Sequence, residues 1–250
     1  MPRSRASRAS RNSSDVLPPP PTAATMSPGA KPNASSSIPS ILRCPVSRGL
    51  EAVILAGGRS TRFGRDKASA PLRSRPLLQW VAEAVAPAVD RIVVVRAPGQ
   101  LLPALGQPIP VDLVDDEFPG LGPLAGLATG LAAVAAPLAF ACSCDAPLIA
   151  PALVARLADI ARAASADVVC PRVGGFPQPL VAVYRAATCA PAFRRAVEAG
   201  AGGLRILAAY AGLRVVEPGE AELSPVDPGL RSFLNANTPD RLAEIDALLG

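Results

Sequence analysis

An α/β fold with a mostly parallel central sheet and helices on both faces is predicted by three features of this chain. Short β-branched runs alternate with longer helical stretches from Glu51 onward. The runs are continuously apolar, as strands covered on both faces must be. Polar and glycine-rich residues gather where the runs end, and in open α/β sheets that is where ligands bind.

The first expected strand is 52–55, and the next are 91–95, 111–114 and 138–142. Helices are expected between and after them over 76–89, 123–134 and 151–164, each opening on a proline. Proline is harmless in a first turn, where its missing N–H would have no intrahelical partner. Further strands are expected at 167–170, 180–184 and 213–217, and helices at 190–199 and 204–210. A last helix starts near Thr238-Pro239-Asp240, with Thr238 as N-cap and Leu242, Ile245, Leu248 and Leu249 on one face. No internal repeat occurs.

Residues 1–49 follow different rules. Ser, Arg, Pro and Ala dominate, with Pro18-Pro19-Pro20-Pro21 at the centre. Such a stretch cannot bury enough apolar surface to offset ordering, so a disordered extension is expected before a single domain over 50–250. Its Arg/Ser-rich start also looks like an organelle transit peptide, and Met26 offers an alternative start. The net charge of +5 is concentrated there: the first fifty residues hold seven basic residues and one acidic residue, Asp15. The rest is close to neutral, has few aromatics and shows no basic stripe, so no nucleic-acid partner is expected. No apolar run reaches membrane-spanning length without interruption, so no membrane partner is expected either.

The chain has no histidine. That excludes a Ser-His-Asp triad, a Cys-His pair and any histidine-ligated metal. Chemistry must run on carboxylates, lysine, arginine, backbone dipoles and a hard cation. Cys44, Cys142, Cys144, Cys170 and Cys189 form no C-x-x-C pair. Free core thiols in a reducing cytoplasm are expected rather than disulfides.

Three strand ends carry candidate chemistry. After the first comes Leu55-Ala56-Gly57-Gly58-Arg59-Ser60-Thr61-Arg62-Phe63-Gly64-Arg65-Asp66-Lys67. Glycines let a backbone approach phosphate closely and aim N–H groups at it, and the cations neutralise a polyanion. A nucleoside di- or triphosphate is the natural ligand. Neither a Walker A loop nor a dinucleotide fingerprint fits the spacing. The second is Asp112 to Glu117 leading into Gly120-Leu121-Gly122-Pro123-Leu124-Ala125-Gly126. It reads either as a ligand contact with a helix packed close to the nucleotide, or as a solvated acidic turn with tight helix–sheet packing. The third is Cys142-Ser143-Cys144-Asp145-Ala146-Pro147. A lone carboxylate at a strand end suits Mg²⁺, which takes one or two carboxylates plus phosphate oxygens and waters. Asp145 is too far from Pro151 to cap that helix.

Together these motifs, with Gln178-Pro179-Leu180 and Leu234-Asn235-Ala236-Asn237-Thr238-Pro239-Asp240, resemble the molybdenum cofactor guanylyltransferases and their nucleotidyltransferase relatives over residues 51–250. The resemblance implies a three-layer, Rossmann-like nucleotidyltransferase fold and transfer of GMP from GTP to molybdopterin, with Mg²⁺ as cofactor. GTP and molybdopterin would be the small-molecule partners, and molybdoenzymes or their chaperones the macromolecular ones. It implies nucleotide contacts from Leu55, Ala56, Gly57, Gly58, Lys67, Asp116 and Asp145, with Asp115 as the alternative to Asp116. Arg62, Lys67 and Asp145 would be catalytic, Asp145 would hold the metal, and Asn235 and Asn237 would face the pterin. Arg96 stands where a compared member has a nucleotide-contacting asparagine. Cytidylyltransferase relatives read Ala-Ala-Gly where this chain has Ala56-Gly57-Gly58. That difference and the Asn-x-Asn-Thr-Pro segment favour guanine, and a missing Cβ at 57 would leave room for a purine. A cytidylyltransferase is the alternative.

Overall fold

Along the first strand, β1 (Leu50–Leu55), every side chain is buried. Ala52 and Ile54 enter one apolar cluster, while Val53 and Leu55 enter another on the opposite face. This is the period of two that a sheet covered on both sides requires. Even Glu51 is buried, and it is met by Arg91 at 2.8 Å and by the Ala135 N–H at 3.2 Å.

The computed structural model describes residues 48–57, 66–201 and 205–249. After β1 come β2 (Pro71–Leu72), β3 (Arg75–Pro76), α1 (Leu77–Val85), β4 (Ile92–Arg96), β5 (Val111–Asp115), α2 (Pro123–Ala133), β6 (Leu138–Ser143) and α3 (Pro151–Ala163). The second half adds β7 (Val168–Val169), β8 (Arg172–Val173), β9 (Phe176–Pro177), β10 (Val181–Arg185), α4 (Ala186–Glu198), β11 (Val215–Val216), α5 (Glu220–Leu223) and α6 (Pro239–Leu248). The large sheet has the order β11-β7-β10-β6-β1-β4-β5. Only β10 runs against its neighbours; the other pairs are parallel. Helices α1 and α3 pack on one face with Val81, Val85, Leu153 and Leu157. Helices α2 and α4 cover the other with Leu127, Leu131, Phe193 and Val197. The expected three-layer α/β fold is therefore the observed one.

Because β6, β1, β4 and β5 are parallel, their C-terminal ends share one edge of the sheet, and the three candidate motifs leave from that edge. Helix α2 lies very close to the strands. A Cβ on Gly130 would stand 2.4 Å from Val53 Cγ1, and one on Gly126 would stand 3.1 Å from Leu55 Cδ2. Gly126 and Gly130 of α2 thus serve helix–sheet packing.

A third, smaller cluster fastens the C-terminus. Ile245 of α6 and Ala236 are buried with Leu72 and Leu77. Thr238 caps α6 by accepting the Arg241 N–H at 3.2 Å. At the other end of the helix, Arg73 donates to Asp246 O at 2.7 Å and Leu249 O at 3.2 Å, a cation on the negative pole of the helix. Arg73 stands in the two-residue turn between β2 and β3, so this hairpin ties α6 to the chain just after Lys67.

Several elements differ from expectation. The hairpins β2–β3 and β8–β9 were not foreseen. Helix α4 starts at Ala186, directly after β10, and carries Pro191 inside it. Residues 205–210 form a 3-10 segment. Arg48 and Gly49, assigned to the extension, donate their backbone N–H groups to Asp90 at 3.0 and 2.9 Å. The rest of the expected disordered extension, residues 1–47, lies outside the described residues. Cys142, Cys144, Cys170 and Cys189 are buried free thiols, as expected. Among the described residues no helix is long and apolar enough to cross a membrane.

Candidate active site

The chain leaves β1 under tight control. Leu55 O accepts the Cys144 N–H at 3.0 Å, and the Ala56 N–H donates to Val95 O at 2.8 Å. Ala56 O accepts from Gln100 Nε2 at 3.1 Å. Leu55 and Ala56 are buried and engaged with neighbouring strands, so they set where the glycine segment begins.

Gly57 corrects two expectations. Its N–H donates to Val95 O at 3.1 Å, so this amide is committed to β4 rather than offered to a phosphate. A Cβ at 57 would lie 3.0 Å from Ala97 N and 3.3 Å from Arg96 C. The missing side chain makes room for the end of β4, not for a purine. Gly58 and Arg62 lie outside the described residues.

The segment resumes at Asp66. Its Oδ1 accepts the Ala68 N–H at 3.1 Å, and its Oδ2 accepts from Ser69 Oγ at 3.1 Å, closing a turn. Lys67 then projects into the site. Its ammonium donates to Asp145 Oδ2 at 2.8 Å and to Asn237 Oδ1 at 2.7 Å. Three residues singled out separately, 78 and 170 positions from Lys67 to the others, therefore form one cluster. Lys67 has three N–H donors, and among the described residues two are used.

Asp145 follows the end of β6 and is 7 % exposed. Ser143 Oγ donates to its Oδ1. Its backbone carbonyl accepts the Ala236 N–H at 2.7 Å, which clasps the Asn235–Asn237 segment onto the β6 end. Asn235 and Asn237 line a groove of about 380 Å³ with Phe233, Leu234, Thr238 and Arg241. The two cysteines beside Asp145 are not nucleophiles. Burial first, and then neighbouring negative charge, hold Cys142 and Cys144 far above the ordinary thiol range.

Asp116 stands apart from this cluster. Its Oδ1 accepts the Phe118 N–H at 3.0 Å and the Thr129 hydroxyl at 3.2 Å, and Oδ2 has no partner among the described residues. Asp115 is paired with Arg96 at 2.7 Å, and Arg96 also donates to Gln100 O at 3.2 Å. Of the two aspartates, Asp115 is tied to a cation, whereas Asp116 has no cation partner among the described residues. The β5 and β6 ends are three strands apart in the order β6-β1-β4-β5, or about 14 Å at roughly 4.8 Å per strand. Asp116 and Asp145 therefore cannot share one metal ion, but one extended ligand can reach both.

A divalent cation fits Asp145 in a limited way. Among the described residues no group of three or more His, Cys, Asp or Glu side chains could hold a metal ion. One carboxylate, with the Asn237 carbonyl and Ser143 hydroxyl nearby, suits a hard cation that draws its other ligands from phosphate and water.

Sequence inspection did not single out Gln100, Ser143 or Thr129. Ser143 had a weak signal, two positions before Asp145 at a strand end. Gln100 and Thr129 had none, since a glutamine in a loop and a threonine on a helix are ordinary.

Known proteins resemble this chain in sequence and in architecture. Residues 52–215 match the model of the MobA-like NTP transferase domain. A Chloroflexus aggregans protein named "probable molybdenum cofactor guanylyltransferase" is 38 % identical over 212 residues, 82 % of this chain and 98 % of that protein. One of the same name from Haloferax mediterranei is 33 % identical, over 80 % of this chain and 94 % of that one. Among solved structures, molybdopterin-guanine dinucleotide biosynthesis protein A from Archaeoglobus fulgidus superposes with a TM-score of 0.66 at 25 % identity, covering 80 % of this chain and 98 % of that one.

Proposed function

Since the chain belongs to the MobA-like NTP transferase family, we propose that it transfers GMP from GTP to the terminal phosphate of molybdopterin. A phosphate oxygen of the acceptor attacks the α-phosphorus. The new P–O–P bond forms as the α–β bond breaks, and pyrophosphate leaves with the bonding electrons. The acceptor is already an anion, so no strong base is needed, which agrees with a histidine-free chain. The observation that carries this reading is the convergence of Lys67, Asp145 and Asn237.

Catalysis then rests on positioning and charge neutralisation. Lys67 binds the phosphates that leave, with Arg62 assigned the same task. Leu55 and Ala56 hold the start of the glycine segment, while Gly57 lets it pass close to β4 and Gly58 supplies an amide to phosphate. Asp145 holds Mg²⁺, and when bound this ion neutralises charge on the phosphate oxygens. Asp116, about three strand spacings away, accepts from the ribose or from the N1–H and N2–H₂ edge of guanine through its open oxygen. Cytosine offers no such edge. The phosphates therefore run toward β6 and the base toward β5. Asn235 and Asn237 face the acceptor, for which the groove with Phe233, Leu234 and Arg241 provides apolar wall and charge. Four buried free thiols suit the reducing cytoplasm, and molybdoenzymes or their chaperones are the expected recipients of the product.

Competition of GTP and CTP in one reaction with molybdopterin and Mg²⁺ tests the reading. The guanine dinucleotide should dominate, with a preference of a few kcal/mol if buried hydrogen bonds read the base. Predominant cytosine dinucleotide would make the chain a cytidylyltransferase, and absence of pyrophosphate release with either nucleotide would remove the transferase assignment.

A further inference from the structure

The turn after β4 is bound from three directions. The Gln100 N–H donates to Ala97 O at 3.0 Å, and the Ala97 N–H donates back to Gln100 Oε1 at 2.9 Å. Arg96, anchored on Asp115 of β5, holds Gln100 O. The side chain is thereby fixed with its amide nitrogen pointing away from the turn. That nitrogen donates to Ala56 O at 3.1 Å and to Asp66 Oδ1 at 3.0 Å. Ala56 and Asp66 bracket residues 57–65, the glycine- and arginine-rich segment, and Lys67 follows immediately.

We propose that Gln100 is a positioning residue for nucleotide binding, setting the separation of the two ends of the glycine segment and thereby the affinity for GTP. The inference rests on the reading of that segment as a triphosphate site. One amide group suits the task because it has two N–H donors for two acceptors and one carbonyl for the Ala97 amide. Its geometry is satisfied before any ligand arrives, so ordering of the segment ends is not charged against binding. Glutamate at 100 would keep the shape and the bond from Ala97. It would lose both donors and set a carboxylate against Asp66 and a carbonyl.

Gln100→Glu and Gln100→Leu, compared with the parent protein, test this. The Kd for GTP with Mg²⁺ should rise roughly tenfold in both, the scale of one or two lost hydrogen bonds to polar and charged partners. Turnover at saturating GTP should change much less, and melting of each variant shows that the protein is folded at the assay temperature. A Kd within twofold of the parent in both variants overturns the inference. Hydrogen exchange of residues 56–68 without nucleotide provides a reading independent of GTP. Faster exchange in the variants supports the clamp, and unchanged exchange overturns it. If the parent itself does not bind GTP, the triphosphate reading fails, and exchange alone decides whether Gln100 holds the segment.

Discussion

Lys67 Nζ lies 2.8 Å from Asp145 Oδ2, with the lysine side chain 25 % exposed and the aspartate side chain 10 %. A pair this far out of water gains little net stability, because desolvating both charges offsets their attraction, yet removing one partner leaves the other charge uncompensated. The pair therefore gives more to organisation than to stability. It holds the candidate phosphate cation and the candidate metal carboxylate in one place.

Lys67→Ala should lower turnover by roughly 10²–10³, the usual cost of one donor aimed at developing charge, and should raise the Michaelis constant for GTP far less. Steady-state kinetics of pyrophosphate release measure both. Near-normal turnover would take Lys67 out of the mechanism.

Asp145→Asn should abolish the response of activity to magnesium while leaving the circular dichroism spectrum unchanged. Asparagine can still accept from Lys67 and Ser143, but it is a poor ligand for a hard cation. Identical magnesium titrations of variant and parent would show the metal assignment to be wrong.

Gly130→Ala should destabilise the protein even though alanine is the better helix former by about 1 kcal/mol. Its Cβ would fall 2.4 Å from Val53 Cγ1, in a strand side chain with no exposure and a single stiff torsion. Overpacking of this kind costs about 1–3 kcal/mol. Gly126→Ala should be milder, because the nearest atom is the end of the Leu55 side chain at 3.1 Å. Thermal melting should rank parent, Gly126→Ala and Gly130→Ala accordingly; a Gly130→Ala protein as stable as the parent would show that α2 can shift.

Asp167 should contribute stability that disappears in acid. The Arg214 N–H at 2.9 Å, helped by the Thr188 hydroxyl at 2.7 Å and Arg185, holds its carboxyl below the ordinary carboxylate value. With the folded value depressed, the contribution is complete above the unfolded value of about 3.9. It is lost as the pH falls through the lower folded value. Asp167→Asn should be less stable than the parent at pH 7, with the difference shrinking toward pH 2. A difference independent of pH would show that the carboxylate charge is not what matters.

Strands β1, β4 and β6 and the first three helices were legible because burial leaves a local trace, whereas β5 is a largely exposed edge strand. Val53 and Ile54 point to opposite faces, and both must be apolar when both faces are covered. The hairpin β2–β3 left no such trace: its strands have two residues each, and its turn uses Arg73 and Ser74 at φ 48° and 64°, not glycine. At α4 the expected start near 190 was late: the helix begins at Ala186, directly after β10, and carries Pro191 inside it. At the site, Lys67 and Asp145 were visible as polar residues in distinctive settings, and Asn237 through the family resemblance. Gln100 was not, since its significance lies wholly in what it touches. Gly57 was visible, but its reason was misread, because the backbone that needs the space belongs to β4, some forty residues away in sequence.

The sequence by itself determined the strands β1, β4, β5 and β6, the first three helices, and which charged residues stand where those strands stop. Those are consequences of burial and backbone freedom within a few residues. The tertiary structure alone decided that Lys67 meets Asp145 and Asn237, that Asp116 lies too far from Asp145 for the two to share one ion, and that Gln100 joins Ala56 to Asp66. Parallel strands joined by helical crossovers return their C-terminal ends to one edge whatever the length of chain between them. Which residues become neighbours on that edge is set by strand order and register, and neither is written in any local stretch of the chain.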